Sequence, residues 1–388
     1  MPLILPGNVA AATAGAYEVA NSCRFDQATN GQLSKTFGSA GDLDKWTFSV
    51  WLKRADFGQS EIRFIYIGRT GGTNVGEMYF HTDDTLKWLS YTAGYTVELV
   101  TNRKFRDTSA WYHLVFVYDS AQGTAANRCK LYVNGTQETS FSTETYPDQN
   151  EDSEVNKAAL HGNYHVGDDD KHFAGYMAEM AFFDAQAIAI GDLGEFDSDS
   201  PTIWKPKDLT GLTFGTNGYW LDFEDSSALG NDVSGNNNDW TAGSLAATDQ
   251  ATDTPTNNFC TMNPLDNYYN ASTFSEGNCK VVTGGSSIYT HNTGTIALAA
   301  GKWYWEVKVG ADEDQMIGIA DKVSTGADQP LGIRANAWGY RKDGYIFNND
   351  SNSGSSYGDT WAANDILGCA IDLTNSKLYF AKNGTWQN

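Results

Sequence analysis

The chain is poor in cysteine, and its cysteines form no pattern. Cys23, Cys129, Cys260, Cys279 and Cys369 are scattered through 388 residues without a C-x-x-C pair. That spacing argues against a structural zinc site and a disulfide framework, and points to folding in a reducing compartment. Long apolar runs are missing too. Nothing approaches the ~20 residues that a membrane-spanning helix needs. The start, Met1-Pro2-Leu3-Ile4-Leu5-Pro6-Gly7, holds three apolar residues between prolines and no basic residue, a poor secretory signal. Two readings of residues 1–16 stand open: an extended arm that docks on a neighbouring subunit, or a frayed terminus. Positive charge is scarce, with 26 basic residues against 48 acidic and a net charge of −22. Phosphate backbones and anionic membrane surfaces would repel such a chain, so neither nucleic acid nor membrane is an expected partner. P-loop and HExxH motifs are absent as well.

What the chain does have is one phrase written twice. Trp111–Asp119 is followed by Lys130-Leu131-Tyr132-Val133-Asn134-Gly135-Thr136, and Gly368–Leu373 by Lys377-Leu378-Tyr379-Phe380-Ala381-Lys382-Asn383-Gly384-Thr385. Each reads as an apolar strand, a polar turn, a second strand and an Asn-Gly hairpin turn, because Asn and Gly tolerate the positive φ of a type I′ turn. Trp46–Lys53 alternates Trp46, Phe48, Val50 and Leu52 against Thr47, Ser49 and Lys53, the period of a half-buried strand. Trp111–Tyr118 is apolar on both faces and belongs in the middle of a covered sheet. Asp148–Lys157 reads as an exposed loop, and Gln186–Leu193 as a single helical turn. Trp303, Trp305, Val307 and Val309 alternate with Tyr304, Glu306 and Lys308 as a second half-buried strand. Asp343-Gly344 marks a further hairpin.

The expected fold is therefore all-β, two antiparallel β-sandwiches in tandem. Residues 1–16 form the arm and 17–190 the first sandwich. Residues 191–276 are a long irregular connector with one or more strands that close the first sandwich, and 277–388 form the second sandwich.

These residues resemble known families. Trp46–Lys53, Trp111–Asp119 with Lys130–Gly135, and Gly167 with Phe173–Phe183 are similar to the laminin-G-like (concanavalin A-like) jelly roll. Trp303–Val309, Ile317-Gly318-Ile319-Ala320, Trp338-Gly339-Tyr340, Tyr357-Gly358 and Asp365–Leu373 with Lys377–Gly384 resemble a SPRY domain. SPRY domains run on for several strands past the Asn-Gly, so the resemblance implies a longer chain or a partner that completes the sheet. The tandem, with its Pro-rich start and Asn/Gly/Thr-rich linkers, is similar to virion surface proteins of tailed bacteriophages.

The laminin-G-like resemblance raises glycoside hydrolysis, which in that fold uses Glu-x-Asp-x-x-Glu on a strand. Glu151-Asp152-Ser153-Glu154 lies in a loop and Glu195-Phe196-Asp197 lacks the second Glu, so the pair of carboxyls ~5 Å apart has no source. The resemblance also implies a rim calcium held by Asp168, Asp169 and Asp170. A solvated acidic turn is the alternative, and Ala178 stands where the family carries an aspartate. His161 and His165 read as a surface strand or loop end.

Exposed aromatics are the candidate ligand-binding residues, since sugar rings stack on their faces: Trp51, which interrupts the polar face of its strand, with Trp88, Tyr91 and Tyr95. In the second module the family's recognition loops imply Trp338, Tyr340, Tyr357 and Trp361. The expected function is a non-enzymatic phage virion surface protein, a tail fibre, appendage or head decoration that binds host-surface glycan or protein. It would be attached to other virion proteins by its arm and form a homo-oligomer. A purely structural assembly protein and a polysaccharide depolymerase are the alternatives.

Overall fold

The computed structural model describes residues 17–387 apart from 60–61, 72–73, 164–170, 269–271, 284–288, 312–313, 322–328 and 350–353. It is nearly all-β, and its described residues divide into two compact units, one within 17–259 with 275–280, the other within 260–274 with 281–387.

The first unit is a sandwich of two antiparallel sheets. In one, the strands run in the order Thr136–Gln137, Cys129–Val133, Trp111–Asp119, Lys45–Arg54, Gly175–Asp184, Ser22–Phe25 and Gln250–Ala251, and Tyr219–Leu221 also pairs with Gly175–Asp184. The other runs Phe141–Thr145, Tyr95–Lys104, Thr85–Tyr91, Asn74–Phe80, Arg63–Gly71, Leu160–Gly162, Gln32–Thr36 and Thr241–Gly243. The alternation read from the sequence builds the core. Trp46, Phe48, Val50 and Leu52 face inward with Tyr112, Leu114, Phe116 and Tyr118, against Met78, Phe80, Leu86, Trp88, Val97 and Leu99 of the opposite sheet. Trp46 stacks on Tyr118 at 5.5 Å and on Phe182 at 5.8 Å.

The other face of Lys45–Arg54 is not solvated. Thr47, Ser49, Trp51 and Lys53 are all buried, so the half-buried reading fails and both faces are covered. The cover comes from the stretch read as a connector. Leu193, Leu209, Phe214 and Trp220 pack on Val115, Val117, Ala181 and Phe183, and the short helix Ile190–Leu193 sits at its start. Further along, Thr241–Gly243 and Gln250–Ala251 add edge strands to the two sheets. Residues 191–259 and 275–280 thus cluster with the first unit, and 260–274 with the second. Period two distinguishes the two faces of a strand but cannot tell whether a distant segment roofs one of them.

Asp148–Lys157 is likewise exposed only in its first half. Ser153, Glu154, Val155 and Asn156 are buried. Asn156 joins Asn217 and Asp184 in a hydrogen-bonded knot, its Nδ2 donating to Asp184 Oδ1 at 2.6 Å. His161 is also buried, with the Tyr66 hydroxyl 2.7 Å from Nδ1 and the Lys157 carbonyl 3.1 Å from Nε2. It is a packed core histidine, not a surface one. His165 lies outside the described residues.

In the second unit, Lys302–Lys308, Ile366–Asp372, Lys377–Lys382 and Thr385–Trp386 form one sheet. Met316–Ala320, Ala337–Arg341, Tyr345–Phe347 and Ser355–Ser356 form another. Between them lie Tyr340, Trp361, Leu367, Cys369 and Phe380. Gly344, at φ 87°, turns the Asp-Gly hairpin.

The twice-written phrase folds the same way twice. Asn134 and Gly135 have φ of 48° and 75°, and Asn383 and Gly384 have 48° and 79°. Both asparagines extend the ladder by one residue. The backbone N–H of each donates to the carbonyl of His113 or Ile366, and its Oδ1 accepts from the N–H of that same residue. The register after the turn also agrees, Thr136 opposite Val133 and Thr385 opposite Lys382. An amide side chain in left-handed conformation replaces the carbonyl that the turn carries away.

Candidate functional site

Four of the eight aromatic candidates are core residues. Trp88 is 1% exposed and packs edge-on against Trp46 and Phe116. Tyr340 and Trp361 fill the second unit's interior. Trp51 does lie on the strand's second face, but it stacks flat on His113 at 4.6 Å, with Val19 and Trp204 in the same buried cluster. A ring whose faces are consumed by neighbours cannot stack on an external sugar. Tyr357 is half-buried, with Tyr340 and Phe380 as ring neighbours at 5.6 and 5.9 Å. Trp338 is half-buried on Ala337–Arg341. Asp168, Asp169 and Asp170 lie outside the described residues. Among the described residues, no cluster of three or more His, Cys, Asp and Glu could hold a metal.

The remaining pair forms a surface. Thr85–Tyr91 turns back into Tyr95–Lys104, with Tyr91 opposite Tyr95. Leu86 and Trp88 point into the core, so Lys87, Leu89 and Tyr91 face out. Tyr95 is 50% exposed, and its ring meets that of Tyr91 edge-to-face at 5.2 Å. Lys87 is clamped from two sides: Nζ lies 2.7 Å from Glu98 Oε1 and 5.2 Å from the centre of the Tyr95 ring. The ion pair and the cation–π contact fix Tyr95 in place, so little rotamer entropy is lost when a ligand lands on it. On the same face Phe64, Ile67, Tyr79 and Leu89 form a buried cluster against which Tyr91 packs. Burial pushes the Glu77 carboxyl up to about 7, against the pull of Arg69, Lys87 and Lys171. The result is a rigid aromatic surface with a hydrogen-bonding ion pair beside it. Lys87 and Glu98 were not among the sequence candidates. Their signal was the alternation Lys87, Leu89, Tyr91 opposite to Leu86, Trp88, Ser90.

One buried constellation imitates a catalytic dyad. Ser49 Oγ is 2.8 Å from His113 Nε2, and the Trp204 indole N–H donates to His113 Nδ1 at 2.9 Å. The indole can only donate, so Nδ1 must accept and Nε2 carries the proton toward Ser49. A base that points its proton at the nucleophile cannot take one from it. Burial also lowers the imidazole pKa to about 3, which keeps it neutral. The trio is a structural clamp that pins Trp204 over the sheet.

The strand Gly175–Asp184 carries a bulge. Ala178 faces Trp51 and Ala181 faces Ser49, so two residues stand opposite Val50 alone. Glu179, in the bulge, has φ 49° and is 4% exposed. Its Oε2 accepts from the Trp220 indole at 2.8 Å, and the Tyr17 hydroxyl lies 3.1 Å from Oε1. Burial raises its pKa to about 8, although both hydrogen bonds pull it down. The folded state therefore holds the proton that the unfolded chain releases near the ordinary glutamate value. This contribution to stability is complete below about pH 4.5, declines as pH rises to about 8, and is flat above. Glu179→Gln keeps the size and the neutral charge. Urea unfolding midpoints measured across that window are expected to fall for the native chain more than for the variant, and equal slopes would refute the assignment.

Comparison with known proteins places two families on the chain. Residues 27–188 match the concanavalin A-like lectin/glucanases superfamily, and residues 302–388 match the SPRY domain. The E3 ubiquitin-protein ligase RKP of Arabidopsis thaliana is 33% identical over 98 residues, 25% of this chain and 8% of the ligase. Ran-binding protein 9 of Danio rerio is 32% identical over 96 residues, 24% of this chain and 16% of that protein. The chain thus spans under a fifth of these relatives' length. Among solved structures, domains LG4-5 of the mouse laminin alpha1 chain align over 100% of this chain and 82% of theirs, at 10% identity and TM-score 0.34. A heptameric pentraxin from Limulus polyphemus aligns over 45% of this chain and 81% of its own, at 14% identity and TM-score 0.31.

Proposed function

We propose that this chain is a non-enzymatic binding protein of a bacteriophage virion surface, which presents its sandwich modules to host-surface glycan. The observation that carries the binding role is the Tyr91–Tyr95 surface: a half-exposed Tyr95 held by the Lys87–Glu98 pair, with the Tyr91 ring edge-on to it, on the outer face of a sheet. Aromatic faces take the C–H groups of a sugar ring, and the adjacent ion pair offers donors and acceptors to its hydroxyls. The SPRY match supports a recognition role for the second module. The buried Ser49–His113–Trp204 clamp supports binding over catalysis, because the serine–histidine pair has the wrong proton arrangement for attack. The virion assignment follows the tandem order of the modules, and the arm would anchor the chain to other virion proteins.

The test is binding to a glycan array and to whole host cells. Tyr95→Ala removes an exposed ring, so stability should stay within about 0.5 kcal/mol. Binding should weaken about tenfold or more, the loss of one good contact of about 1.4 kcal/mol. Binding unaffected by both Tyr91→Ala and Tyr95→Ala would sink the site. Reducing-sugar release from host polysaccharide would sink the non-enzymatic reading. Absence of the chain from purified particles, checked by mass spectrometry, would sink the virion assignment.

A further inference from the structure

The second unit carries an exposed aromatic cluster of its own, on the outer face of its hairpin sheet. Along Lys302–Lys308, Trp303 and Trp305 are only partly exposed and Trp305 packs on the core, which leaves Tyr304, Glu306 and Lys308 on the other side. Register places Tyr304 opposite Ala370 and Ala370 opposite Tyr379, with Ala381 opposite Trp386. Tyr379 is 45% and Trp386 54% exposed. The Trp386 ring stands edge-on to Tyr304 at 6.0 Å and to Tyr379 at 6.3 Å. The floor is made of small residues, Gly368, Ala370 and Ala381, and a Cβ on Gly368 would meet the Tyr304 hydroxyl at 2.7 Å. Trp386 therefore touches both tyrosines, and the half-buried Tyr304 shares this face with the exposed Tyr379 and Trp386, an arrangement that solvent alone does not favour.

The charge around them departs from that of the chain. Lys302, Lys308 and Lys377 share this face with Glu306 and Asp372, three cations to two anions, in a molecule of net charge −22. Lys302 pairs with Asp372 at 3.2 Å, and the Tyr304 hydroxyl donates to Glu306 at 2.6 Å. Lys308 and Lys377 make no ion pair among the described residues, and both are exposed. Lys308 lies opposite Ile366, and Lys377 opposite Asp372 at the far end of the same central strand. Six residues of strand separate them along that direction, about 20 Å at the usual rise. The aromatic triad lies between.

We propose that this face binds an anionic saccharide chain. The rings of Tyr304, Tyr379 and Trp386 would stack on sugar units, while Lys308 and Lys377 meet acidic groups on either side. The spacing of the lysines fits an oligosaccharide and not a single ring. The site is separate from the Tyr91–Tyr95 surface, and its existence does not depend on that one.

Native gel electrophoresis of the full chain through polygalacturonate, hyaluronate or dextran tests this. Retardation is expected in the two acidic polymers and not in dextran, weakening as salt rises. Trp386→Ala with Tyr379→Ala should weaken the affinity about tenfold or more, and Lys308→Gln with Lys377→Gln should weaken it while reducing the salt dependence. These side chains are exposed, and circular dichroism checks that each variant is folded. No retardation in either acidic polymer would overturn the proposal. Equal retardation in dextran would overturn the anionic class, and equal retardation in polyacrylate would overturn the saccharide. Loss with Tyr95→Ala while the second-unit variants stay bound would place the ligand elsewhere and overturn the site.

Discussion

Replacing Asp253 with alanine is expected to destabilise the first unit by about 3–5 kcal/mol, the cost of stranding one partner of a buried ion pair. Lys53 is 1% exposed, and its ammonium lies 2.8 Å from Asp253 Oδ2. The remaining donors of Lys53 reach Asn258 Oδ1 at 2.9 Å and the Phe259 carbonyl at 2.7 Å, neither of which can replace the lost charge. Asp253 also accepts from the Trp111 indole at 3.0 Å and the Phe259 N–H at 3.2 Å. A truncation there strands three donors at once. The reading is the urea midpoint at unchanged m-value. Removing both charges while keeping an acceptor, with Lys53→Met and Asp253→Asn together, should cost less than Asp253→Ala alone, because no buried charge is left unpaired. A cost below about 1 kcal/mol for the single substitution would mean that residues 253–259 do not clamp the outer face of the sheet.

Trp88→Ala should be about as damaging, about 3–5 kcal/mol, with binding to any surface ligand unchanged in the fraction that remains folded. The indole is buried between Trp46 at 5.7 Å and Phe116 at 5.5 Å, and its loss opens a cavity that the two sheets cannot close. Tyr95→Ala is the mirror case, with a small effect on stability and a large one on binding. Measuring both by thermal melting and glycan binding separates a core aromatic from a surface one. A stable Trp88→Ala chain that loses ligand would reverse the assignment of Trp88.

These two tryptophan-rich strands show how far the sequence carries. Along Trp46–Lys53 the period of two sorted the side chains onto the correct faces, and Trp51 does stand apart from Trp46, Phe48, Val50 and Leu52. Exposure was a different matter. Trp51 is buried because His113 and Trp204 come to it, and Trp204 is 153 positions away in a Pro-flanked stretch without regular alternation. Tyr91 and Tyr95 flank the short turn between two strands, where little covers Tyr95. Tyr304 was visible on the polar side of its strand, but its grouping with Tyr379 and Trp386 required the register of three strands.

The sequence by itself determined what depends on near neighbours. Alternation made the strands, and the Asn-Gly and Asp-Gly pairs made the hairpins, because positive φ is a property of one or two residues. The all-β class and the two modules follow from those local choices. Tertiary structure decided what depends on remote segments: that the connector is a roof and two edge strands, that Lys53 is buried against Asp253, and that Ser49 and His113 form a clamp. Burial is set by whatever chain arrives from elsewhere, and no local pattern encodes that arrival.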